Sequence, residues 1–95
     1  MDEQHKREMT ISLKEFYRLL PFALKDINFE ISNNEISMFY ANGKILIKPG
    51  VEHERKIASL VLPVLYVEFF FSNISDQELK QFYEAFDRAY QRGGG

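Results

Sequence analysis

The chain has 95 residues, with 12 basic and 14 acidic side chains for a net charge of −2 and no cysteine. This length supports one small domain with a single core. The absence of cysteine excludes a disulfide framework, a thiolate nucleophile and a Cys-based metal site, and the near-neutral balance argues against a polyanion as main partner. With 9 Phe and 5 Tyr the core is aromatic-heavy, and large rings bury much area per residue, which helps a small domain offset its chain entropy.

Residues 1–9 are polar and charged and are expected to form a flexible arm; the lack of an apolar stretch of signal-peptide type makes a cytoplasmic location the default expectation. A first helix is predicted from Ser12, where Ser12-Leu13-Lys14-Glu15 has the form of a capping box. Leu13, Phe16, Tyr17 and Leu20 follow as one apolar stripe. Pro21 disfavours helical geometry at Leu20 and should end the helix there.

Ile27, Phe29 and Ile31 alternate with polar residues, as in a half-buried strand. Asn33-Asn34 suits a two-residue turn because Asn tolerates positive φ. A second strand is predicted over 35–41. Asn42-Gly43 is a strong hairpin signal, and a third strand follows over 44–48. These turns pair Ile31 with Ile36, Phe29 with Met38, Tyr40 with Ile45 and Met38 with Ile47. All of these residues then share one face, and a slip by one residue would destroy the agreement.

Residues 51–58 read as a polar connection. The run from Leu60 to Phe71 is interrupted only by Pro63 and Glu68. It is too short to span a bilayer and reads as a strand with most of both faces covered, kinked or bulged at Pro63. Leu65, Val67, Phe69 and Phe71 share one face; Val64, Tyr66, Glu68 and Phe70 share the other. Ser75-Asp76-Gln77-Glu78 is a second capping box, and Leu79, Phe82, Tyr83, Phe86 and Tyr90 make the buried stripe of a last helix. Asp76, Lys80, Glu84 and Arg88 form an alternating row that marks its solvated side. Gly93-Gly94-Gly95 is expected to stop the helix and leave a flexible tail.

The expected fold is therefore α+β, in the order α-β-β-β-β-α, with a four-stranded, mostly antiparallel sheet in one globular domain over residues 10–92 and helices packed on the sheet. The last helix is expected on the face bearing Ile27, Phe29, Met38 and Ile47.

The candidate site is the outer sheet face. The predicted pairing puts Phe39 opposite Leu46, with Tyr66 and Phe70 on the same side and Lys44 and Lys48 beside them. An exposed aromatic set of this kind suggests a surface for a protein partner or a second copy; the other reading is that the first helix covers it. Lysines beside aromatic rings also admit nucleic acid, but Glu30, Glu52, Glu54 and Glu68 lie in the same region. Edge lysines alone serve to block aggregation.

Catalytic groups are sparse. His5 lies in the arm and His53 in the connection. A metal at His53 would need Glu52, Glu54 or a distant ligand, and adjacent strand residues point to opposite faces. Ser12 and Ser75 are accounted for by capping. Glu68 reads as an outward-facing neighbour of Lys44 or Lys48. A terminal Gly-Gly suggests a carrier protein activated at its carboxylate, yet here it follows a helix and the strand order departs from a β-grasp. Leu62-Pro63-Val64-Leu65 together with the ending Phe86-Asp87-Arg88-Ala89-Tyr90-Gln91-Arg92-Gly93-Gly94-Gly95 resembles a set of small uncharacterised bacterial proteins. That resemblance covers the C-terminal third, and it implies a native glycine tail and a complete domain but no activity.

The expectation is thus a small non-catalytic binding or assembly domain, with a homodimer as one form, and with no catalytic residue, cofactor, metal or membrane partner. A nucleic-acid module and a small enzyme or Gly-Gly carrier are the alternatives.

Overall fold

The structure, a computed structural model, describes residues 2–94, with side chains to Gln91. The elements are β1 (Asp2–Met9), α1 (Leu13–Ala23), β2 (Phe29–Ser32), β3 (Glu35–Tyr40), β4 (Gly43–Pro49), β5 (His53–Ile57), β6 (Leu60–Ser72) and α2 (Asp76–Gly94). The sheet runs β1-β6-β4-β3-β2, and β5 pairs with the first half of β6; all pairs are antiparallel. The class is α+β as expected, but the described residues contain six strands where the sequence suggested four.

The first added strand is β1. Residues 2–9, expected as a flexible arm, pair with β6 from Asp2↔Ser72 to Met9↔Leu65. Its inward side chains are Glu3, His5, Arg7 and Met9, all half-buried, so the alternation is real but almost entirely polar. The Arg7 guanidinium lies 4.3 Å from the Tyr83 ring centroid and pairs with both carboxylate oxygens of Asp87, at 2.5 and 3.0 Å. Long amphipathic side chains replace the usual apolar ones, because their stems cover ring surface while their heads find partners.

The second is β5, within the segment read as a loop. It runs beside β6 along the line of β4, and the pairing register shifts by one residue between Pro49↔Val67 and His53↔Val64. One extra residue on the β4–β5 side is a β-bulge. Gly50 sits at this bulge, its N–H donating to the Tyr66 carbonyl at 2.9 Å. A Cβ there would come 2.9 Å from that same oxygen.

The first hairpin has the expected register, Phe29↔Met38 and Ile31↔Ile36, with φ of 52° at Asn33 and 60° at Asn34. The second is displaced by two residues. Its turn is Ala41-Asn42, and the pairs are Met38↔Ile45 and Ile36↔Ile47. A two-residue displacement preserves faces, so Ile36, Met38, Ile45 and Ile47 still point into the core. Gly43 is needed for a different reason from the one its turn motif suggests. A Cβ at Gly43 would lie 2.1 Å from the Ser72 carbonyl oxygen and 2.4 Å from that of Asn73.

Both helices pack on one face of the sheet. Phe16, Leu19, Leu20 and Ala23 of α1 and Phe82, Phe86 and Tyr90 of α2 share a core with Ile36, Met38, Ile45, Ile47, Leu65, Val67, Phe69 and Phe71. Phe69 meets Phe86 edge-on at 5.3 Å, Phe71 meets Phe82 at 5.8 Å, and Phe16 stacks on Tyr90 at 5.3 Å. Buried against this core, the Tyr90 hydroxyl donates to the Phe16 carbonyl at 2.7 Å. The reading in which α1 covers the outer sheet face is therefore overturned.

Helix ends follow the capping logic in part. At α2, the Glu78 N–H donates to Ser75 Oγ (3.1 Å) and the Ser75 N–H to Glu78 Oε1 (2.9 Å), a complete capping box. At α1, the Glu15 N–H donates to Ser12 Oγ at 3.1 Å, but the Glu15 carboxylate turns to Arg18. Glu52 serves instead, accepting from the Leu13 N–H at 2.8 Å. Pro21 lies inside α1, which continues to Ala23. A proline inside a helix costs about 3 kcal/mol; burial of Leu20, Ala23 and Leu24 offsets it. The backbone of α2 extends to Gly94 rather than stopping at Gly93. The expected flexible tail and carrier terminus rest on Gly95, which lies outside the described residues.

Candidate interaction surface

The antiparallel ladders fix what the outer face presents. From β1 to β3, Lys6, Glu68, Lys48 and Glu35 stand side by side in a row across four strands. The Lys48 ammonium lies 3.3 Å from Glu35 and 5.1 Å from the Phe70 centroid, while Gln4 Nε2 donates to Glu68 at 3.3 Å. Glu68 is thus an outward carboxylate flanked by lysines in register, as its position in the run suggested. The next row holds Gln4, Phe70, Leu46, Ser37 and Glu30. Opposite charges in neighbouring cross-strand positions stabilise a sheet face by tenths of a kcal/mol each.

Each candidate residue lies on this uncovered face. They do not form one patch. Phe70 and Leu46 are paired neighbours, both half-buried, with Lys48 over the Phe70 ring. Phe39 is 81% exposed and stands opposite Lys44, not Leu46, a consequence of the displaced second hairpin. Tyr66 is 37% exposed and lies beyond the charged row, against His53 with ring centroids 5.9 Å apart.

A larger apolar feature lies at the end of β6. Its 13 residues span about 40 Å at 3.3 Å per residue, close to the 46 Å long axis of a molecule only 24 by 22 Å across. Val67–Ser72 lies between β1 and β4, and β1 alone continues to Leu65. Leu60–Val64 continues past both neighbours and pairs with β5 alone, forming a hairpin arm. Ile57 is 51% exposed, Leu60 60% and Val61 52%, and all of β5 is exposed. On the arm, Ile57, Leu60 and Leu62 share the side of Tyr66, so an apolar stripe runs from the arm onto the outer face. At the base of the arm, Arg55 pairs with Glu8 at 2.8 Å. The guanidinium holds the Glu8 carboxyl below the usual glutamate range.

This arm was missed because an apolar run reads as core by composition. The readable signal was length, since thirteen strand residues exceed what a sheet of short neighbours can flank.

Groups able to do chemistry are tied to structural partners. His5 Nε2 lies 3.0 Å from Glu3 and Nδ1 2.8 Å from the Tyr83 hydroxyl. Burial pushes the Tyr83 hydroxyl up to about 12, against the pull of Arg7. It therefore stays neutral near pH 7 and is no ready nucleophile. A shallow concavity of about 380 Å³ is lined by Lys6, Arg7, Glu8 and Tyr66, and a groove of about 1050 Å³ lies between α1 and α2 with Leu19, Phe22 and Ile27 among its walls. Neither is lined by His53 or Glu68. Among the described residues no group of three or more His, Cys, Asp or Glu side chains is placed to hold a metal, and no helix is long and apolar enough to cross a membrane. The sequence matches no protein-family model, and no curated protein matches it.

Proposed function

We propose that this protein is a non-catalytic assembly domain that binds a protein partner through its hairpin arm and the adjoining outer sheet face. The observation that carries this reading is the exposed set Ile57, Leu60 and Val61 on an arm built outside the core. Apolar area left in water forgoes roughly 25 cal/mol per Å² of burial, and large apolar side chains exposed on both sides of the arm, Ile57 and Leu60 on one and Val61 on the other, favour an interaction surface. Tyr66 continues the Ile57–Leu60 side onto the sheet, and Phe70 and Phe39 lie past the charged row at Glu68. The alternating row Lys6, Glu68, Lys48 and Glu35 leaves no uniformly basic field, which disfavours a nucleic-acid backbone as occupant.

Photoreactive side chains placed at Leu60, at Tyr66 and, as a control, at Lys14 on α1 test this in cells. A discrete protein cross-link from Leu60 and Tyr66, absent at Lys14 and lost when Ile57→Asp is added, is the expected result. The same pattern from Lys14, or no protein cross-link from the arm, refutes it.

A further inference from the structure

We propose that the arm's partner is a second copy of this chain, joined by antiparallel pairing of β5 with β5 about a two-fold axis at Arg55. The inference rests on the reading of the arm as an assembly element and adds the partner and its register.

The open edge can be located from the ladder. The turn Ala58-Ser59 is a two-residue loop closed by Ile57↔Leu60, and such a loop is flanked by a hydrogen-bonded pair. Antiparallel pairs alternate between bonded and non-bonded. Arg55↔Leu62 and His53↔Val64 are then bonded, and Lys56↔Val61 and Glu54↔Pro63 are not. Glu54 and Lys56 therefore turn their backbone N–H and C=O groups away from β6, toward an edge that no other strand occupies among the described residues. On the other side of the arm the same phase turns Val61 and Pro63 outward. Pro63 has no N–H to give and blocks a strand there. Only the β5 edge can accept one.

Charge then selects the occupant and the register. Along β5, the acid Glu54 precedes the base Lys56 on one face. Antiparallel pairing about Arg55 sets Glu54 of each copy opposite Lys56 of the other, twice. These are also the positions whose backbone groups are free to bond. Moving the axis to Glu54 would set Glu54 against itself. In the favoured register the two Arg55 side chains face each other across the axis, each held by its own Glu8. The joined arms make a four-stranded sheet, whereas a lone two-stranded hairpin is marginal in water.

Sedimentation velocity on the full chain across the micromolar range tests the pairing. The wild type is expected to dimerise, and E54K and K56E are each expected to weaken the dimer by at least about tenfold, since each creates two like-charge contacts. An equimolar mixture of E54K and K56E, and the double variant E54K/K56E alone, should recover dimer to within about threefold of wild type, because every reversed charge again meets its opposite. Circular dichroism of the singles checks that they remain folded, and recovery on mixing gives the same answer independently. A monomer at all concentrations, or a dimer indifferent to both reversals, overturns the β5 pairing. If the cellular cross-link from Leu60 then goes to a different protein, the assembly reading survives without self-pairing; if there is no cross-link, both fall.

Discussion

The two halves of β6 are built from similar residues and do opposite things. Leu65–Ser72 is paired with β1 throughout and with β4 from Val67 on, and buries Leu65, Val67, Phe69 and Phe71 under both helices. Leu60–Val64 has one neighbour, and Leu60 and Val61 stay exposed. Residue type sets the capacity to be buried, while cover by the two helices sets which side chains of the sheet enter the core. Val64, where the arm leaves the sheet, is still buried, and only Leu60 and Val61 beyond it stay in water. The arm thus carries apolar surface with no role in the chain's own core.

The sharpest way to break this comparison is to truncate one residue in each half. Phe69→Ala should cost about 3–5 kcal/mol in chemical denaturation, because its ring packs against Phe71, Tyr83 and Phe86. Leu60→Ala should stay within about 0.5 kcal/mol under monomeric conditions. A similar loss at both sites would mean that the arm belongs to the core.

A smaller effect is expected from alkali. Burial raises the Tyr90 hydroxyl, and raises that of Tyr83 to about 12, from an ordinary 10.0. The folded state therefore favours the neutral phenols. The stability they give is complete below the unfolded value near 10.0 and is lost as pH rises above it, for Tyr83 until about 12. Unfolding monitored by tyrosinate absorbance should show the domain losing stability in this range. Tyr90→Phe should reduce the alkaline sensitivity; an unchanged pH profile in that variant would refute the role of Tyr90.

The smallest effect belongs to the arm. Glu8 is held below the usual glutamate range, first by its hydrogen bond to Arg55. A lowered folded value means that the stabilisation is present above the ordinary glutamate range and is lost as pH falls through the depressed value. Amide exchange at His53–Ile57, corrected for intrinsic rates, should lose protection on acidification through that window, and Glu8→Gln should remove the pH dependence. Protection that is equal in both proteins would detach the arm's order from this pair.

Much of the fold was legible. Both caps, the stripe of α2, the register of the first hairpin and the shared face of Ile36, Met38, Ile45 and Ile47 follow from spacing alone. The second hairpin slipped because Asn42-Gly43 has the form of a turn, whereas Gly43 is required where the backbone at Ser72 and Asn73 crosses it. β1 escaped because a polar alternation has no hydrophobic period; its inward side is defined by Tyr83 and Asp87, 76 or more positions away from Arg7 in the chain. Of the candidate surface, the face assignment of Phe39, Leu46, Tyr66, Phe70, Lys44 and Lys48 was readable from alternation, while the separation of Phe39 from Phe70 depended on the displaced pairing.

The sequence by itself determined which residues share a face and where both helices begin, because these follow from local periodicity and from side chains that cap their own neighbours. Only the tertiary structure decided that both helices lie on one side of the sheet and that β6 outruns its neighbours, since those outcomes depend on which distant strands arrive to flank it.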